Sequence, residues 1–102
     1  MKLKEWFTSP DKWTQRGWAR TAQDEHIFAN DPKKEPISIC LLGAMIRLCP
    51  DEELAKNHGR VQEYIKNTGF VVPEGVAIIP RWNNDPTRKF EEVQKLVNDL
   101  DI

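Results

Sequence analysis

Histidine, cysteine and unbalanced charge are scarce in this sequence, and each scarcity closes a class of functions. The two histidines, His26 and His58, stand far apart, and neither has metal-ligand spacing to a cysteine. There is no glycine-rich phosphate loop and no nucleophile elbow. With 15 basic and 16 acidic residues the net charge is −1, so no global field draws in nucleic acid or an anionic membrane. The longest apolar run is one core helix long, too short to span a bilayer. The opening Met-Lys-Leu-Lys-Glu-Trp-Phe has no apolar stretch behind it and does not read as a signal peptide.

The two cysteines, Cys40 and Cys49, flank an apolar stretch that reads as one helix. Nine residues of helix would separate their Cα atoms by roughly 13–14 Å. A disulfide needs less than about 7 Å. Two free thiols fit a reducing compartment, and the expected location is cytoplasmic.

What remains is a chain of 102 residues, 39% hydrophobic and 30% charged, the balance of one small globular domain over residues 1–102. Leu3, Trp6 and Phe7 share one face of a short helix. Ser9-Pro10 opens a further turn. Residues 14–22 lack a helical period and alternate like a strand, with Ile27-Phe28-Ala29 as the hairpin partner. Asn30 to Pro36 is a loop.

Ser38 is placed to cap a helix over Ile39 to Cys49, apolar all round except for Arg47 and therefore central. Gly43 within it would let another element approach closely. A third helix follows Pro50-Asp51, with Leu54, His58, Val61, Tyr64 and Ile65 facing inward and Asn67-Thr68-Gly69 ending it. Gly75 to Ile79 reads as extended, and the Ile79–Pro80 bond is a candidate cis peptide. Asp85-Pro86 starts a last helix with Phe90, Val93, Val97 and Leu100 buried. The expected fold is α+β and mainly α: a central apolar helix wrapped by three helices, with a small β-hairpin.

Catalysis leaves little trace, and the leaning is towards a non-enzymatic protein with no catalytic residue, metal or cofactor. The pairs Glu52-Glu53 and Glu91-Glu92 lie in first turns of helices, where the helix dipole accounts for them. Cys40 is placed at a helix N-terminus that would activate a thiol, but Ile39, Leu41 and Leu42 favour a buried small hydrophobe.

Two segments stand out as binding candidates. Arg16-Gly17-Trp18-Ala19-Arg20 would put two cations and an indole on one strand face, either as a cation–π pair or as a platform for single-stranded nucleic acid. Arg81-Trp82-Asn83-Asn84-Asp85-Pro86 offers an indole, amides and a carboxylate to a polar ligand. Its alternative is that Trp82 plugs the core while the polar residues satisfy a loop and a cap. The expected contact residues are Gln15, Trp18, Arg20, Arg81, Trp82 and Asn83. Replacing Arg20 and Trp82 together would then abolish binding without unfolding the chain.

Taken in order, Trp13-Thr14-Gln15, Ala19-Arg20, Cys40-Leu41-Leu42-Gly43-Ala44, Trp82-Asn83 with Pro86, and Glu92-Val93 resemble a family of small bacterial and phage proteins of unknown function. The resemblance runs from Trp13 to Leu100 and implies a shared fold, with no activity attached. Asn84 stands where the resemblance leads one to expect aspartate, and Arg16-Gly17 replaces a pair of small residues.

The function expected is that of a non-enzymatic binding or interaction protein, an accessory factor of a bacterium or phage, with a protein or polar small molecule as partner. An alternative is a protein that binds, sequesters or modifies a nucleotide-like molecule, with Gln15, Arg20 and Asn83 converging in one pocket. A third is a binder of single-stranded nucleic acid, which the neutral charge disfavours. No membrane partner is expected. Four tryptophans leave room for a homo-oligomer, since aromatics are enriched at subunit contacts.

Overall fold

The longest helices follow the apolar periods of the sequence. In a computed structural model, which describes all of residues 1–102, the helices are α1 (Leu3–Trp6), α2 (Leu41–Leu48), α3 (Asp51–Asn67), α4 (Ile78–Asn83) and α5 (Phe90–Leu100). A single 3-10 turn covers Pro10–Lys12. In α3 the buried residues are Asn57, Val61 and Ile65, spaced four apart on one stripe, with Leu54, His58 and Tyr64 half-buried beside them. Gly69, at φ +91°, follows the end of α3 in the left-handed conformation that glycine adopts freely. In α5 the inward face is Phe90, Val93, Leu96 and Val97, with Leu100 at its edge.

Three two-residue strands form one antiparallel sheet of order β2-β1-β3, from β1 (Ala19–Arg20), β2 (His26–Ile27) and β3 (Ser38–Ile39). The hairpin is therefore present but shorter than expected, and a third strand joins it. Only Ala19 and Arg20 of the expected strand 14–22 pair with neighbours on both sides. The preceding residues are held elsewhere: Arg16 is left-handed at φ 62°, and its N–H donates to Asn84 Oδ1 at 2.8 Å.

β3 also takes the first residue expected of the central helix. Ser38 does not cap α2, because it pairs with Arg20; the cap is Cys40, whose Sγ accepts the Gly43 N–H at 3.2 Å. The helix is not buried all round. Leu41, Gly43, Ala44 and Met45 are buried, while Leu42, Ile46, Arg47 and Leu48 are half-buried. Three helices do pack on α2, namely α1, α3 and α4, while α5 packs against α1 and α3.

The segment expected to be extended, Gly75 to Ile79, instead turns at Gly75 (φ +84°) and enters α4. Ile78, Ile79, Trp82 and Asn83 are its buried residues, the i, i+1, i+4, i+5 pattern of a short helix against a core. Pro80 lies in the first turn, where a missing N–H costs nothing, and no peptide bond is cis. Asp85 does not cap α5. Its Oδ1 accepts the Thr87 N–H at 2.9 Å and hydroxyl at 2.8 Å, closing a turn, and α5 starts at Phe90. Glu92 Oε1 there accepts the Lys89 N–H at 2.8 Å.

One core joins all five helices and the sheet, running from Leu3 and Phe7 through Ile39, Leu41 and Met45 to Trp82, Val93 and Ile102. The radius of gyration is 12.9 Å, close to the value of about 13 Å for a chain this long.

Candidate functional site

Residues 13–18 pass between the sheet and the C-terminal end of α4, and polar side chains from α4 hold them there. Asn83, 1% exposed, uses both faces of its amide. Its Oδ1 accepts from Trp13 Nε1 at 2.7 Å and from the Leu41 N–H at 2.9 Å. Its Nδ2 donates to the Thr14 carbonyl at 3.1 Å and to Asn84 Oδ1 at 3.0 Å. Gln15 Nε2 donates to the carbonyls of Asn83 and Asp85, both at 2.9 Å. One amide thus joins the 13–15 segment, the start of α2 and the end of α4. Asn84 accepts twice through Oδ1, from Arg16 N–H and Asn83 Nδ2; an aspartate there could accept the same two bonds.

Trp82 lies on the core side of α4, 2% exposed. The Arg88 guanidinium covers its ring at 4.0 Å, and Arg88 Nε donates to the Trp82 carbonyl at 3.0 Å. A double change at Arg20 and Trp82 would therefore strip the core as well as the surface. Arg81 is exposed on α4 and lines neither the Trp18 cleft and its neighbouring hollows nor the depression beside Arg20.

Two depressions flank Arg16. The first is a cleft of about 370 Å³ lined by Arg16, Gly17, Trp18, Leu42, Pro80 and Asn84, with Cys40 and Asn83 at its base. Trp18 is 40% exposed and also borders two smaller hollows, shared with His26, Ile27 and Phe28 on one side and with Phe28 and Ile46 on the other. Phe28 is 72% exposed. The Trp18 backbone is fixed by the Cys40 N–H, which donates to its carbonyl at 3.0 Å. Gly43 makes that approach possible, since a Cβ at position 43 would lie 2.8 Å from the Trp18 carbonyl oxygen. Burial pushes the Cys40 thiol pKa up, outweighing the opposite effect of the Gly43 N–H, so the sulfur stays protonated at neutral pH.

The second depression is shallow and polar, lined by Trp13, Thr14, Gln15, Arg16, Arg20 and Pro86. Gln15 and Arg20 meet here, while Trp18 and Asn83 meet in the cleft, so the expected convergence of Gln15, Arg20 and Asn83 in one pocket does not occur. Residues 16–20 form no single strand face, because only Ala19 and Arg20 are strand. Arg16, one of the two cations of the Arg16–Arg20 candidate though outside the expected contact set, borders both depressions. The departure from a small pair at Arg16-Gly17 was the available signal. Phe28 lies just beyond β2, and nothing local in the sequence marks it as exposed.

No three His, Cys, Asp or Glu side chains stand close enough together to hold a metal ion. Both cysteines are free. No helix is long and apolar enough to cross a membrane.

Fold and site together define a small α+β domain, mainly α, with a polar clamp at the end of α4 and an aromatic-edged cleft beside it. The chain belongs to a family of unknown function (DUF6197), whose pattern matches residues 8–100. The resemblance from Trp13 to Leu100 lies within that span. No curated protein and no solved structure matches the chain.

Proposed function

We propose that this chain acts by binding another protein, without chemistry of its own, and that Trp18 is the centre of its contact face. The observation that carries the reading is the pairing of Trp18, 40% exposed, with Phe28, 72% exposed, across adjoining hollows. Large aromatics left in water at a rigid, grooved surface are the usual anchors of protein interfaces. Gly43 and the Cys40 N–H hold the Trp18 backbone in place, so little order would have to be created on binding. The partner is a protein with an apolar groove for these rings and an acceptor for Arg16. Two free thiols suit a reducing compartment and support a cytoplasmic location. A role as an accessory factor in a bacterium or phage rests on the resemblance alone.

The test is affinity capture with the unaltered chain, a Trp18→Ala/Phe28→Ala variant, and Val71→Ala as a control at another exposed apolar position. A discrete protein retained by the first and third and lost by the second, with unchanged thermal melting, is expected. Retention by the aromatic variant would overturn the reading.

A second reading has its own support. Arg16 and Asn84 line the same cleft as the Trp18 indole, an arrangement that suits a polar molecule with a planar ring. Native mass spectrometry of the purified protein separates the two. A reproducible extra mass lost in Trp18→Ala favours the small molecule, and a bare chain with a captured protein favours the interface.

A further inference from the structure

The shallow depression on the other side of Arg16 presents two arginines and no carboxylate. Arg16 makes no hydrogen bond or ion pair through its guanidinium; its only bond is the backbone N–H to Asn84. It holds a left-handed φ of 62°, a conformation uncommon outside glycine, asparagine and aspartate. Arg20 is tied by Nη1 alone, at 2.8 Å, to Asp24, whose side chain is 76% exposed. Arg20 Nε is buried without an acceptor, and it is the one buried side-chain nitrogen or oxygen in the chain left so. The Nε–Nη2 edge of a guanidinium is the side that grips two oxygens of an oxyanion at once. An exposed carboxylate on Nη1 is a weak tether, and an orphaned donor favours any turn of the head that finds it an acceptor.

We propose that this depression binds a phosphate monoester, with Arg20 turning from Asp24 to take two phosphate oxygens side-on and Arg16 supplying the second cation. The Gln15 Nε2 hydrogens are both engaged by Asn83 and Asp85, which leaves its carbonyl oxygen to accept from a hydroxyl of the ester or from a protonated phosphate. The half-buried Trp13 and the exposed Pro86 ring give the depression an apolar side for the remainder of a small ester. This site shares Arg16 with the Trp18 cleft but is centred on Arg20, which that cleft lacks, so Arg20→Ala tests it without touching the Trp18 face.

Asp24 competes with the ligand for Arg20, and that competition makes the idea testable in both directions. Asp24 sits at φ 61°, a conformation asparagine tolerates well, so Asp24→Asn keeps the fold while removing the rival charge. Inorganic phosphate and adenosine 5′-monophosphate are titrated at constant ionic strength, following the backbone amide and Arg Nε–H resonances by NMR. Saturable shifts at Arg20 Nε–H and at the amides of Gln15 and Arg16 are expected. Arg20→Ala and Arg16→Ala should each weaken binding about tenfold, the effect of losing one charge-assisted partner. Asp24→Asn should tighten it several-fold, and Val71→Ala, at an exposed position that lines neither depression, should leave it unchanged. Absence of saturation into the tens of millimolar, or affinity that ignores both Arg16→Ala and Asp24→Asn, would overturn the proposal. So would equal binding of a single-stranded oligonucleotide without terminal phosphates, which would mark a site for chain phosphodiesters.

Discussion

The indole nitrogen of Trp13 donates to Oδ1 of Asn83 at 2.7 Å, a bond between residues 70 positions apart. The same oxygen takes the Leu41 N–H, so one acceptor joins the chain before the sheet, the first turn of α2 and the end of α4. Replacing Asn83 by alanine strands the Trp13 and Leu41 donors and removes a donor from the Thr14 carbonyl. A loss of about 3 kcal/mol or more is expected from denaturant unfolding. Trp13→Phe removes one donor and should cost about 1–2 kcal/mol. The pair should couple by about 1 kcal/mol or more in a double-mutant cycle. Additive losses would show that the indole bond contributes nothing.

Gly43 is the second point at which distant segments touch. A methyl group there would meet the Trp18 carbonyl at 2.8 Å, Ile39 Cγ2 at 3.0 Å and Cys40 Sγ at 3.1 Å. Alanine ordinarily strengthens a helix interior relative to glycine by about 1 kcal/mol. Here the clash with fixed backbone should win, for a net loss of about 1–3 kcal/mol. The Trp18 fluorescence environment should shift in the same variant. A stabilised Gly43→Ala protein would mean that the Trp18 carbonyl and α2 can move apart to admit the methyl group.

Arg16 carries backbone strain that glycine would not. Arg16→Gly should leave the chain as stable as before or up to about 1 kcal/mol more stable, since relief of the left-handed penalty offsets the added freedom of the unfolded chain. Arg16→Val should cost about 1 kcal/mol or more, because a β-branched side chain fits that conformation poorly. Thermal melts of both variants decide it, and equal stability of the two would remove the strain argument.

Lys4 and Lys2 hold the Asp101 carboxylate in its charged form and bring its pKa down from 3.8 to about 2. A depressed folded value means that the contribution is present above the unfolded pKa and fades as pH falls through the folded one. Asp101→Asn should therefore lower the urea midpoint at about pH 7 and lose that difference as pH approaches 2. Asparagine accepts the left-handed φ of 55° at this position, so the change isolates the charge. The solvent-exposed site makes the effect small and salt-sensitive. A difference that persisted at low pH would point to packing rather than charge.

Much of the helical fold was legible because its signals are local. The inward Val61 and Ile65, the glycine closing α3 and the acidic first turns of α3 and α5 are written within a few residues of where they act, whereas the buried Asn57 is not. The thiols at either end of α2 are both free, as the length of the intervening helix required. Gly43 also declared itself, since a glycine inside an apolar helix has few uses other than close approach.

Burial can be read from periodicity, but which polar group satisfies which cannot. Ile39 is equally apolar as the start of a helix or the end of a strand, and only its pairing with Ala19 decided between them. Ile78 and Ile79 read as extended until the core offered α4 a place to bury them beside Trp82. Trp82 turned inward and Trp18 outward, though both are tryptophans next to arginine or glycine in polar surroundings. Asn83 found its partners at Trp13, Thr14 and Leu41, positions that nothing near it in the chain foretells. By itself, then, the sequence determined every helix but α4, the single core and the unpaired cysteines, because those follow from spacing and composition. The tertiary structure decided the clamp and the two depressions, because a buried polar group takes whatever partner the fold brings within reach.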